Sequence, residues 1–139
     1  WYYLIGPPHP NNLKLHPHYY QDSLKDTTLT GIEMTKKLLN LKTPPTAIIC
    51  SLDKYFIGCL QECQERGLST PKDISIVGYN DHDNYLSSQN LTYISHPLTK
   101  MGKMAVEILE KIEKGEKPSK LTKLIEPILN KGKSDGKIN

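Results

Sequence analysis

Apolar positions change their period several times along the chain. In residues 46–50, "TAIIC", they run almost unbroken over the length of a strand, too short for a helix. Continuous apolarity predicts a strand covered on both faces, central in a parallel sheet. After Ser51 the period becomes helical: Tyr55, Phe56, Cys59, Leu60 and Cys63 share one face over residues 54–66, charged residues take the other, and Gly67 stands at the C-terminal stop. "STPKD" turns the chain into a second buried-type strand at residues 74–77, closed by Gly78. Strand, helix and strand joined by short loops predict a βαβ unit with parallel strands and a right-handed crossover.

Outside this unit, residues 1–5 read as a short strand entering the turn "GPPHP", and residues 11–29 carry mixed signals. Leu29, Ile32, Met34, Leu38 and Leu39 recur near helical spacing until "KTPP" ends the pattern. Downstream comes an extended piece through Ile94, a turn at Pro97, and a helix carrying Met101, Met104, Ala105, Ile108, Leu109 and Ile112, ended by Gly115 and Pro118. The last apolar stretch reads as a strand pair or extended segment, with Pro127 confining it to a sheet edge.

Ligands of open parallel sheets bind outside the carboxyl ends of the strands. Asp53 follows the first strand, and Asn80 with Asp81 follows the second, so polar groups from both loops converge on one edge. Each also has a purely structural reading, Asp53 as a helix N-cap and Asn80 as a turn residue.

Composition narrows the classes. At 139 residues, 37% hydrophobic and 24% charged, the chain has the size and balance of one globular domain. No apolar run approaches bilayer length, and the N-terminus lacks a basic-then-apolar leader layout, which predicts a cytoplasmic protein without membrane contact. The net charge of +3 comes almost wholly from lysine, with Arg66 the single arginine. Bidentate base readout favours arginine, so the chain is not expected to read DNA by itself. The Lys-rich stretch 111–137 reads as solvated surface.

Three cysteines without a C-x-x-C pair read as free, buried thiols. Asp81, His82 and Asp83 are adjacent, and His16 with His18 has no recognisable third partner, so no metal is expected. Cys50 or Ser51 with His96 lacks the nucleophile-elbow motif, and no Gly-rich phosphate loop occurs, so neither an enzyme nor a bound cofactor is expected.

The stretches "PPTAIICSLD", "GCLQECQERGLSTPKDISIVGYND" and "LTYISHPLTKMGKMAVEIL" together resemble the effector-binding region of LacI/GalR-type transcriptional repressors, over residues 30–134. The family pattern there is PTAIFCxND, a helix, RGLxVPxDISVVGFDD, then LTTVxQPxxxMGxxAV. The resemblance implies an α/β subdomain of the type I periplasmic-binding-protein-like class: an open, mostly parallel sheet with helices on both faces. It also implies a small-molecule effector, a sugar, sugar phosphate or related metabolite, bound between two subdomains of a homodimer. Operator DNA is then met through a head domain outside this chain, and residues 1–139 form a partial effector-binding domain.

Carried over by position, the family's Asn-Asp pair falls on Leu52 and Asp53, the first acid of GFDD on Asn80, and the Gln before Pro on His96. A ligand-stacking aromatic falls on Asp26. The implied ligand set is Asp53, Asn80 and His96, with Asp81 and Asp26 beside them. The implied dimer contacts are Tyr55, Ile57 and Tyr85. "WYYLIGPP" resembles the family's IxxIxGP strand, but the arginine-bearing helix that normally follows has no counterpart between Pro10 and Asn11. A dimerisation module without sensing, or a flavodoxin-like enzyme fragment, are the alternatives. On the sensor reading, this chain alone is expected neither to bind DNA specifically nor to hold effector tightly.

Overall fold

The structure, a computed structural model, describes residues 17–79, 84–117 and 122–136. After a 3₁₀ turn at Pro17–Tyr19, the elements run α1 (Thr28–Leu39), β1 (Ala47–Cys50), α2 (Asp53–Glu65), β2 (Ser75–Tyr79), α3 (Asn84–Ser88), β3 (Tyr93–Ser95), α4 (Leu98–Glu113) and β4 (Ile128–Asn130). The strands form one sheet in the order β1-β2-β3-β4, with the first three parallel and β4 antiparallel to β3. The expected βαβ unit is present, its strands paired from Ala47 with Ser75 to Cys50 with Gly78. The expected strand at residues 1–5 lies outside the described residues.

Local chemistry sets the helix ends. The Thr27 hydroxyl accepts from the Thr30 amide at 3.1 Å and caps α1. Gly67, with φ +73°, closes α2: its amide donates to the Gln64 carbonyl and the Leu68 amide to that of Cys63. Gly115, with φ +88°, closes α4 in the same way, its own amide reaching Ile112 and that of Glu116 reaching Lys111.

Helices α1 and α2 touch backbone to backbone. A Cβ on Gly58 would lie 2.3 Å from the Thr28 carbonyl oxygen, and one on Gly31 would lie 2.7 Å from Tyr55 Cα. On the sheet side, Phe56, Cys59 and Cys63 of α2 join Ile74, Ile76 and Leu86 in a fully buried core. Gly78 lets both Phe56 and Leu86 approach β2 closely.

Three expectations change. Among the described residues β1 stands at the sheet edge rather than its centre, with no described strand on its outer side. It is also covered on one face only: Ile48 and Cys50 are buried under the helices, whereas Ile49, pointing the other way, is 69% exposed. The apolar run is thus a half-covered strand with the ordinary two-residue alternation. On α2, the face expected to be solvated holds Glu62, only 2% exposed, whose carboxylate accepts from Arg66 Nε at 2.6 Å and lies 3.5 Å from Lys36 Nζ of α1. Arg66 also donates to Asn40 Oδ1, so this charge cluster ties the two helices together.

Helix α4 has the expected amphipathic spacing, yet no residue of it is buried. Met104 and Ile108 are half-covered, while Met101, Val106 and Leu109 are exposed. The C-terminal tail, in contrast, is built into the sheet. Beyond the short β2–β3 pairing at Gly78 with Tyr93 and Tyr79 with Ile94, Ser134 fills the gap, its carbonyl accepting from the Ile76 amide at 2.7 Å.

Candidate functional site

Because β1, β2 and β3 are parallel, their carboxyl ends share one edge. Asp53, Tyr79 and His96 follow or end those three strands in turn. Neighbouring strands lie about 4.8 Å apart, so the ends of β1 and β3 are separated by about 10 Å, the span of a small ligand.

Asp53 opens α2 as its first residue, with Leu52 at the N-cap position making no side-chain cap. Its Oδ1 accepts from the Lys54 amide at 2.8 Å, and the carboxylate sits in the first turn, where the helix dipole favours negative charge. Asp26 is brought to the same corner. Lys54 Nζ lies 3.5 Å from its carboxylate and donates to its carbonyl at 3.4 Å. The segment before α1 is held there by Tyr55, whose hydroxyl donates to the Lys25 carbonyl at 3.1 Å. Burial first, then Asp26 and Asp22, raise the Tyr55 pKa, which keeps this phenol a donor.

Tyr55 was expected at a dimer interface; it is 6% exposed and spends its ring and hydroxyl within its own chain. Ile57 is half-buried on α2. Asn80 and Asp81 lie outside the described residues, as does the side chain of Tyr85.

At the other end of the edge, the Tyr79 hydroxyl lies 2.5 Å from His96 Nε2 and 3.5 Å from Nδ1. The two rings meet edge-on, with an interplanar angle of 80° and centroids 4.9 Å apart. His96 lines an open cleft of about 930 Å³ between the end of β3 and the start of α4, with Thr99, Lys100, Lys103, Met104 and Glu107 on its helical wall. The sequence reading missed Lys100, Lys103 and Glu107 as lining groups. Their spacing of three and four residues places them on one helix face, a signal present in the sequence.

Among the described residues no group of three or more His, Cys, Asp or Glu side chains is placed to hold a metal ion. Asp81, His82 and Asp83 lie outside them, as does His16. His18 packs its ring on Tyr19, with centroids 4.7 Å apart. All three cysteines are buried and free. No helix among the described residues is long and apolar enough to cross a membrane.

A mostly parallel four-stranded sheet flanked by helices is an α/β architecture, and comparison with known proteins identifies its class. Residues 10–134 match the family described as periplasmic binding protein-like domain, and the chain belongs to that family. Within it, the chain is an effector-binding domain of the LacI/GalR regulator type.

The chain is 35% identical over 117 residues to the ribose operon repressor of Haemophilus influenzae, covering 83% of this chain and 35% of that protein. It is 40% identical over 80 residues to the HTH-type transcriptional repressor PurR of Glaesserella parasuis, covering 57% and 24%. A LacI-family regulatory protein from Chloroflexus aggregans superposes with a TM-score of 0.78 at 29% identity, over 91% of this chain and 46% of that one. These relatives are transcriptional repressors and regulators, not enzymes. The chain spans about a quarter to a third of the length of the two repressors.

Proposed function

We propose that this chain is the effector-sensing and self-associating part of a cytoplasmic transcriptional repressor, with a sugar, sugar phosphate or related small metabolite as effector. The observation that carries the reading is that Asp53 and His96 follow the carboxyl ends of parallel strands of one sheet, His96 also lining a cleft of about 930 Å³, with Asn80 and Asp81 next in sequence after β2. Polyols present fixed arrays of hydroxyls, and recognition needs donors and acceptors arriving from separate loops. Asp53 supplies an acceptor, Asn80 both kinds, and His96 the ring nitrogen that Tyr79 leaves open. Asp26 and Asp81 stand as outer contributors.

The effector is held between this lobe and a further lobe of the intact homodimer, and operator DNA is met through a head domain outside this chain. Self-association uses Ile57 and Tyr85, since Tyr55 is occupied within the chain.

Calorimetry of the intact protein with D-ribose, D-ribose 5-phosphate and other pentoses tests this. Ribose heads the panel because one relative is a ribose operon repressor. Saturable micromolar binding that weakens at least tenfold in Asp53→Asn and His96→Ala is the expected result. Silence across the panel would favour a dimerisation module that does not sense. The isolated chain is expected to bind far more weakly, since half the contacts are lost and each 1.4 kcal/mol is tenfold in affinity.

A further inference from the structure

We propose that Tyr79 is a positioning residue for effector recognition: its hydroxyl fixes the ring plane and the tautomer of His96, and so the polarity that His96 presents to the ligand. The inference rests on the reading that effector occupies the cleft beside His96. His96 lines that cleft and Tyr79 is not among its lining residues, so Tyr79 acts through the imidazole.

Two features of this one contact hold the ring. The hydroxyl sits 2.5 Å from Nε2, and the tyrosine ring meets the imidazole edge-on at 80°. The first fixes which ring edge faces Tyr79, and the second fixes the plane. Both backbones are anchored in the sheet: Tyr79 pairs with Ile94 across the β2–β3 ladder, and Ser95, just before His96, pairs with Ile128. On the far side of His96 its carbonyl accepts from the Leu98 amide at 2.8 Å, where α4 begins.

A neutral imidazole carries one donor and one acceptor, and its partner on one nitrogen decides which is which. A phenol oxygen shares its lone pair with the ring, so the hydroxyl donates better than it accepts. With Tyr79 donating to Nε2, the ring proton resides on Nδ1. Glutamine, which stands here in the resembling family, sets its donor and acceptor by amide orientation alone. A histidine at this position therefore needs a neighbour such as Tyr79 to settle the same choice.

The test is long-range ¹H–¹⁵N correlation spectroscopy on intact protein labelled in histidine, together with D-ribose and D-ribose 5-phosphate titrations of Tyr79→Phe, His96→Ala and the double variant. Tyr79→Phe keeps the ring and removes the hydroxyl. Wild type is expected to show Nε2 of His96 as the acceptor nitrogen, and Tyr79→Phe to shift the ring toward the Nε2–H tautomer and weaken binding about five- to tenfold. In the His96→Ala background the same substitution should change affinity less than twofold.

Unchanged His96 nitrogen shifts in Tyr79→Phe, or an equal affinity loss with and without His96, overturns the proposal. A tautomer change with no binding of either probe to wild type overturns the recognition role together with the effector reading on which it rests, leaving only the side-chain geometry.

Discussion

The Ser134 hydroxyl donates to the Ile76 carbonyl oxygen at 2.6 Å, across 58 residues of sequence. The Ser134 hydroxyl oxygen in turn accepts from the Thr92 amide at 2.9 Å, and Ser134 is 1% exposed. One small side chain thus closes the gap where β2 and β3 diverge. Ser134→Ala leaves a buried carbonyl and a buried amide without this partner, at a cost of about 1–3 kcal/mol. Urea denaturation should show a lower midpoint at unchanged slope; a loss of only a few tenths of a kcal/mol would mean that the gap is closed without it.

Glycine positions on the helices divide by what a methyl group would meet. At Gly58 it meets the Thr28 carbonyl at 2.3 Å and the Ile32 amide nitrogen at 2.7 Å, both backbone, so α1 and α2 must separate. Gly58→Ala is expected to destabilise by about 3 kcal/mol or more. At Gly102 nothing lies within 4 Å, and alanine there should stabilise α4 by about 0.5–1 kcal/mol. Thermal melts of the two variants should move in opposite directions.

Cys50, Cys59 and Cys63 form a buried thiol cluster. Hydrogen bonding to Cys50, with burial adding to it, pushes the Cys59 thiol up to about 12, and Cys59 together with burial raises that of Cys63. The thiolate is the reactive form. At pH 8 iodoacetamide should leave Cys59 and Cys63 intact in the folded protein and modify both in urea, as mapped by peptide mass. Rapid native labelling of Cys59 would contradict this burial.

Asp135 gives the fold an acid-sensitive contact. Lys131 Nζ at 2.7 Å and the Thr92 hydroxyl, in that order, hold its carboxyl below the ordinary carboxylate value. A depressed folded pKa stabilises the folded state above the unfolded pKa, near 4, and that stabilisation is lost as pH falls through the folded value. Asp135→Asn should therefore be less stable than wild type at pH 7, with the difference shrinking below pH 4. Because Lys131 is 67% exposed, added salt should reduce the effect. A difference that grows in acid would reverse the assignment.

The sequence by itself determined what local rules control. The spacing of Tyr55, Phe56, Cys59 and Cys63 specified α2, Gly67 its end, and the short loops a parallel βαβ unit, because helical period, left-handed glycine caps and crossover handedness all act within a few tens of residues. Parallel strands then placed Asp53 with Asn80 and Asp81 on one edge before any distance was known, whereas His96 entered only through the family resemblance. Tertiary structure alone decided the remainder. Ile49 has the same apolar character as Ile48, and only the placement of distant helices leaves one exposed and the other buried. Glu62 reads as solvated until Arg66 and Lys36 are brought to it. Ser134 has no periodic signature, and a lone hydroxyl acquires its role only when a tail meets a strand gap 58 residues away. Tyr79 and His96 likewise become a pair only when β2 and β3 lie side by side, since a hydrogen bond depends on final separation and angle, which no one-dimensional pattern encodes.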